Sequence, residues 1–232
     1  AIVSGGYRYD RAEFESSTAG ISESVTMDEN VYNGGFTYVF SDKSSVYISY
    51  ARSFRYPVLD EKFSFFTNSF DTNLGPQTTD DYEIGTRLQI GSSVNLGVNL
   101  FRLDTDNEIF FNPSSFANEN LEDKTIRQGV ELTVSKKFSK VLLNGSYTFR
   151  DTKIDGGIFD GNEIPNVPRH QFTIGAEAEI YKNIQLNMDG TYVGERPFIS
   201  DFANAIDYQD DYFFLNAKLT YNSEKWSTYI TV

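Results

Sequence analysis

The residues best equipped for chemistry lie between stretches of alternating sequence, not inside them. One such segment, residues 55–79, reads RYPVLDEKFSFFTNSFDTNLGPQTT and carries Arg55, Tyr56, Phe63, Phe65, Phe66 and Phe70. A second, 104–124, carries Phe110, Phe111 and Phe116, and a third, 197–210, carries Phe198, Phe202 and Tyr208. Arg127, Arg150 and Arg196 stand at the edges of these segments. Rings and guanidinium groups together suit an anionic, partly aromatic chelate, held by stacking, cation–π contact and charge-assisted hydrogen bonds. In the competing reading the rings pack the segments on one another and the arginines meet an anionic surface outside the chain. Both readings are open at this stage.

Other chemistry is poorly supplied. There is no Cys, which excludes disulfides and thiolate metal sites, and the single histidine, His170, argues against a His-based zinc or iron centre. No G-x-S-x-G, HExxH, P-loop or G-x-G-x-x-G occurs, so neither an enzyme nor a bound cofactor or metal is expected. His170, beside Arg169, reads as a hydrogen-bonding residue at a strand entry. Glu177 and Glu179 lie two apart and so share one strand face, where arginine partners across the strands are expected. The Asp-Gly pairs within residues 154–162 suggest tight turns, and the EF-hand pattern is absent. A net charge of −13 disfavours nucleic acid as a partner. The acids either keep a surface solvated or face cations outside a cell.

The elements that position these segments alternate with period two. Tyr82, Ile84, Thr86, Leu88 and Ile90 oppose Glu83, Gly85, Arg87 and Gln89; Phe172, Ile174, Ala176, Ala178 and Ile180 oppose Thr173, Gly175, Glu177 and Glu179. About eleven strands of this kind are expected, near 2–11, 30–40, 45–54, 80–90, 93–103, 125–138, 141–150, 169–180, 184–196, 211–221 and 225–232. Many approach the length of about ten residues with which a tilted strand crosses a bilayer. No run of about 18 apolar residues exists, so no transmembrane helix is expected, and AIVSGGYRYD lacks the basic and apolar regions of a signal peptide.

The connections sort by length. Short turns at 41–44, 91–93, 138–140, 181–183 and 222–225 alternate strictly with long connections at roughly 12–29, 55–79, 104–124, 151–168 and 197–210. In a meander this puts every short turn on one rim and every long connection on the other, the layout of outer-membrane barrels. All six prolines fall in the long connections or at their edges, as expected of a residue that cannot donate to a ladder.

A soluble sandwich also alternates. Charge distribution favours the membrane. Mid-strand charges (Arg87, Glu131, Glu177, Asp189, Lys218) fall on the polar face, and the apolar face carries charge only near strand ends, at Arg52, Arg102 and Lys136. A lipid-facing charge at mid-depth costs roughly 2–4 kcal/mol. Rings gather toward strand ends, with Phe40, Tyr221 and Trp226 near short turns and Tyr50, Tyr82, Phe149, Phe172 and Phe213 near long connections, as in two aromatic girdles. The polar face, rich in Gly, Asn, Thr, Glu, Arg and Asp, implies a wet wall and a wide barrel.

GPQTTDDYEIGTRLQI (75–90) resembles the "LKPE-x-x-x-x-YE-x-G" strand of TonB-dependent outer-membrane receptors. NLFRLDTDNEIFFNP (99–113) is similar to the strand and loop that follow it, RQGVELTVSKKF (127–138) to their "RGVELE" strand, and NEIPNVPRHQFTIG (162–175) to their "LPNVPRH" approach to a later strand. YVGERPFISD (192–201) and WSTYITV (226–232) fit the penultimate strands. GPQ replaces the usual Lys-Pro-Glu, and Gln128 departs at the Arg-Gly junction before Gly129.

The resemblance implies an all-β fold, an antiparallel up-and-down transmembrane β-barrel of which 1–232 supplies about eleven strands of a larger barrel of about 22. It implies the C-terminal part of that barrel, with plug domain and final strand outside this sequence. It further implies an outer-membrane receptor that binds a scarce nutrient, a ferric siderophore or similar metal chelate, and imports it with energy from TonB–ExbB–ExbD. Outer-membrane lipid and lipopolysaccharide are the other partners. The expected ligand contacts are Arg55, Tyr56, Phe65, Phe66, Phe110, Phe111, Arg127, Arg196 and Phe198. A passive porin, and a surface adhesin or envelope-assembly subunit, are the alternatives.

Overall fold

The structure is a computed structural model that describes residues 1–18, 21–64 and 69–232. In chain order its elements are β1 (Ile2–Thr18), β2 (Ile21–Ser41), β3 (Ser44–Arg55), α1 (Leu59–Lys62), β4 (Phe63–Ser64), β5 (Ser69–Phe70), β6 (Gln77–Ile90), β7 (Val94–Asp106), β8 (Ile109–Asn112), β9 (Ala117–Asn120), β10 (Lys124–Lys137), β11 (Val141–Asp155), β12 (His170–Tyr181), β13 (Ile184–Val193), β14 (Tyr212–Asn222) and β15 (Ser227–Thr231). Eleven of them form one sheet in the order β1-β2-β3-β6-β7-β10-β11-β12-β13-β14-β15, and every pair is antiparallel. The short ladders β4–β5 and β8–β9 sit within long connections.

The expected up-and-down meander is therefore present, with its short turns on one rim. Two of those turns place a residue in the left-handed region, Gly91 at φ 61° and Asn183 at φ 66°, the residue types that accept it at least cost. The long connections, 56–76, 107–123, 156–169 and 194–211, share the opposite rim.

Register shows which face is which. Phe36, Ile48, Ile84, Leu100, Val130 and Phe149 lie directly opposite one another on consecutive strands. Ile48, Ile84, Ile174 and Leu215 on this face are each more than half exposed. A continuous exposed apolar belt is unstable against water but matched to hydrocarbon, so this is the lipid face. Above it, on the long-connection side, Tyr32, Tyr50 and Tyr82 stack in sequence at 5.9 and 5.0 Å. Phe172 stacks on Tyr192 at 5.1 Å, and near the short turns Tyr221 meets Trp226 at 5.4 Å. These are the two expected girdles.

One expectation is overturned. Residues 12–29 are not a long connection: β1 and β2 pair in unbroken register from Ile2↔Thr37 to Thr18↔Ile21. The physical reason lies in the side-chain pattern. Near the membrane the outward residues are Val3, Tyr7, Tyr9, Tyr32 and Phe36; beyond it they are Arg11, Glu13, Glu15, Ser24, Thr26 and Asp28, while Ala12, Phe14, Val25 and Met27 turn inward. Apolar and polar faces exchange where the hairpin leaves lipid for water, so alternation continues with its sign reversed.

Candidate functional site

The long connections gain order by packing on strand extensions that rise above the girdle. The inward-facing Thr105, Thr125, Thr152 and Ile154 at those ends are buried. On Ile154 sit Leu121 and Ile164, with Phe110, Phe159, Val167 and Phe202 packed around them. Phe202 is the hub, edge-on to Phe110 at 4.6 Å and tilted on Phe159 at 6.1 Å. Polar bonds lock the same three connections. Asn162 Nδ2 donates to Phe202 O (2.9 Å), Glu163 N to Asn204 Oδ1 (2.7 Å), and Ser200 Oγ to Phe111 O (2.7 Å). Asp201 accepts from the amides of Ala205 and Ile206.

The remaining connection, 56–76, is held from both sides. Asn120 accepts from Gly75 N (2.7 Å) and donates to Gly75 O (3.1 Å), and Asn118 donates to Glu61 O. On the other side Lys62 is wholly buried, its Nζ 2.8 Å from Leu74 O and over the rings of Phe14 (5.7 Å) and Phe70 (5.4 Å). Burial pushes this amine below the ordinary lysine range, and the carboxylate of Asp71 partly restores it.

The expected ligand residues divide into three groups. Arg55, Tyr56, Phe110, Arg127 and Arg196 have partners within the chain, Arg55 on the surface with its side chain 42% exposed. Arg55 Nη1 bonds both Glu61 oxygens (3.0 and 2.7 Å). Tyr56 bonds the backbone of Asp10 (3.2 Å) and Met27 (3.4 Å) and packs on Phe14 and Phe54. Arg127 Nη1 bonds Glu108 Oε2 (3.0 Å), and Thr125 shares that carboxylate. Arg196 bonds Asn166 and Gln209, each at 3.2 Å, and lies 5.2 Å over the Tyr212 ring. Phe111 and Phe198 are exposed rings, 47% and 41% accessible, and Ser200, two residues from Phe198, bonds the backbone carbonyl of Phe111. Phe65 and Phe66 lie outside the described residues.

Between connections 56–76 and 107–123 opens a cavity of about 510 Å³, lined by Asp60, Lys62, Phe70, Phe111, Phe116 and Asn118 among others. A second, of about 740 Å³, lies against the inward wall. There Tyr47 donates to Asn99 (3.1 Å), Asn99 donates to Glu83 (3.3 Å), and the Arg87 guanidinium lies 4.8 Å over the Tyr47 ring. Asp81 Oδ1 on the same wall is buried with no hydrogen-bond partner among the described residues. Glu179 is paired with Lys140 (3.1 Å), not with the arginine expected for it. His170 Nδ1 meets the Tyr147 hydroxyl at 2.8 Å, the strand-entry bond expected of it. Among the described residues no group of three or more His, Asp or Glu is placed to hold a metal, and no helix is long and apolar enough to cross a membrane.

The family model described as "TonB dependent receptor-like, beta-barrel" matches residues 2–232. The chain belongs to the TonB-dependent receptor β-barrel family. Among curated relatives, a probable TonB-dependent siderophore receptor, PiuA of Acinetobacter baumannii, is 24% identical over 95% of this chain and 32% of its own length. The catecholate siderophore receptor Fiu of Escherichia coli K12 is 27% identical over 82% of this chain and 26% of its own. The chain thus spans between a quarter and a third of these relatives. Among solved structures, PiuA superposes with a TM-score of 0.72 at 22% identity, over 96% of this chain and 34% of that one. The ferric yersiniabactin receptor FyuA of Yersinia pestis gives 0.71 at 19%, over 99% and 37%. These likenesses establish the receptor-barrel fold.

The structural roles of several residues of this receptor wall escaped the sequence. Lys62, Glu108 and Phe202 organise the connections, yet each gains its role from a partner 12 or more residues away. The connections also concentrate the chain's negative charge. Residues 56–76, 107–123, 156–169 and 194–211 contain 14 of the 33 acids and only 3 of the 20 Lys and Arg, a net −11 within the chain's −13.

Proposed function

We propose that this chain forms part of the wall of an outer-membrane importer that captures a metal chelate at its long connections and admits it with energy supplied by TonB–ExbB–ExbD. The observation that carries the reading is the family match across 2–232, joined to an aromatic-lined cavity of about 510 Å³ on the long-connection rim. Relatives named as siderophore receptors support a ferric siderophore as the cargo class. The inward wall is lined by polar side chains such as Glu83, Arg87, Asn99 and Glu131, which in this reading face a lumen filled by a plug domain.

Charge refines the cargo. Arg55, Arg127 and Arg196 are engaged within the wall, Arg169 is bonded to Glu163, and Lys62 is buried. The four connections thus carry a net −11, and the cations in and beside them named here already have partners in the chain or are buried, apart from one unpaired nitrogen of Arg196. A polyanionic catecholate chelate would be repelled here, whereas the rings and carboxylates suit a neutral chelate or one bearing ammonium groups.

The test uses the full-length protein. Deletion should abolish uptake of the cognate ferric chelate under iron limitation, and Phe111→Ala with Phe116→Ala should weaken chelate binding about tenfold, as loss of exposed aromatic anchors does. Binding of no ferric chelate at all would overturn the importer reading. Tightest binding of the polyanionic catecholate would overturn only the charge refinement.

A further inference from the structure

The long connections already seat an amine of the chain's own. Lys62 ends α1 and is wholly buried, and its Nζ donates to Leu74 O at 2.8 Å. The same nitrogen lies over two rings, Phe70 at 5.4 Å and Phe14 at 5.7 Å. These partners come from separate parts of the chain: Phe14 from β1, Phe70 from β5, and Leu74 from the segment that follows β5. Asp71 N donates to Lys62 O at 2.7 Å and Phe63 pairs with Phe70, so the backbone keeps the lysine beside its ring. The carboxylate of Asp71 favours positive charge at this point. Two rings and a carbonyl oxygen make a cage of the kind that takes an ammonium group.

The cage adjoins the cargo cavity. Lys62 and Phe70 belong to both, since they also line the cavity of about 510 Å³ between connections 56–76 and 107–123. Asp60 and Asp71 line it on the same side, and the exposed rings of Phe111 and Phe116 line it from the other connection. The net −11 of the connections draws cations toward this rim.

We propose that the cage of Phe14, Phe70 and the Leu74 carbonyl is the receptor for a primary ammonium group on the cargo, and that Lys62 is a resident stand-in which that group displaces. The inference rests on the importer reading and adds to it the group by which the cargo is recognised. A tethered side chain is present at its own site at an effective concentration of about millimolar, so a free amine below that level does not compete. A chelate whose body sits against Phe111 and Phe116 does compete, because its ammonium group is then tethered beside the cage as well. The exchange replaces one amine by another, so the rings and the carbonyl keep a partner while Lys62 is released.

The test is binding of two matched probes to the full-length receptor in detergent: a linear ferric trihydroxamate ending in a primary ammonium group, and the same chelate with that group acetylated. The wild type should bind the ammonium form about tenfold more tightly. Lys62→Ala empties the cage of its stand-in and should tighten binding of the ammonium form about tenfold further, with the acetylated form unchanged. A purely structural lysine would instead weaken both forms on removal. Phe14→Leu, which takes one ring from the cage, should abolish most of the preference. Heat-modifiable migration on a gel reports folding, and if Lys62→Ala does not fold, Phe14→Leu decides alone. Equal affinity of the wild type for the two forms, binding of neither, or equal weakening of both by Lys62→Ala overturns the proposal. The importer reading is judged apart from it, by whether the receptor binds any ferric chelate.

Discussion

The hydroxyl of Tyr56, at the start of a long connection, donates to the backbone carbonyl of Asp10, 46 residues away on β1, at 3.2 Å. The ring also packs edge-on to Phe14. The bond ties connection 56–76 to the β1–β2 hairpin where that hairpin stands clear of the membrane. Tyr56→Phe should cost about 1 kcal/mol of local stability. Amide exchange over residues 10–14 and 25–29 should quicken about fivefold, with chelate affinity nearly unchanged. Loss of chelate binding with unchanged exchange would restore Tyr56 as a direct ligand contact.

Arg127 and Glu108 make a second tie. Both are about one-fifth exposed, and Thr125 bonds the same carboxylate. Arg127→Gln leaves a largely buried carboxylate short of donors and should cost about 1–3 kcal/mol. A double-mutant cycle with Glu108→Gln, read by thermal unfolding of the full receptor in detergent, should recover part of that loss. Additive single effects would show that the pair contributes little.

Lys62 sets a pH dependence. Its folded pKa lies below its unfolded value because burial disfavours the charge. Between those two values the unfolded connection binds more protons than the docked one, so docking strengthens as pH rises through the window and gains nothing further above the unfolded value. Exchange rates for connection 56–76 should therefore fall as pH rises through that window, after correction for intrinsic exchange. Lys62→Met, which keeps the volume and removes the charge, should flatten the dependence; a slope that persists in that variant would place its origin elsewhere.

Phe202 joins three connections through Phe110 and Phe159. Phe202→Ala should cost about 2–4 kcal/mol locally, for lost burial and the cavity left behind. Limited proteolysis should then cut within 107–123, 156–169 and 194–211 together. Cleavage confined to 194–211 would mean that the connections are ordered independently.

The two faces of the sheet can be told apart by one charge. Ile84→Arg, in the middle of the apolar belt, should destabilise the folded receptor in lipid by about 2–4 kcal/mol. Ser146→Arg, exposed on the inward wall, should be tolerated within about 1 kcal/mol. Equal penalties would contradict the assignment of faces.

Much of the fold was legible because its signals are local. Alternation of the Tyr82–Ile90 kind needs only neighbours in sequence, and a short turn such as 91–93 forces its two strands together. The hairpin of β1 and β2 was missed above Asp10 because the apolar phase reverses there: Phe14 and Met27 face inward where Tyr7 and Tyr32 face lipid. The rings and arginines of the long connections were correctly placed on one rim. Their duties were not legible, since Phe110 finds Phe202 across 92 residues with no periodic signal between them.

Eleven antiparallel strands, the two chemical faces of the sheet and the rim that carries the long connections can all be read from the order of the residues. Each follows from side-chain alternation and connection length, which act over a few residues. The partners of Arg55, Arg127 and Arg196 and the burial of Lys62 beneath a connection appear only in the folded sheet. Those outcomes depend on which side chains meet across strands, and strand register and loop packing settle that only once the whole sheet has formed.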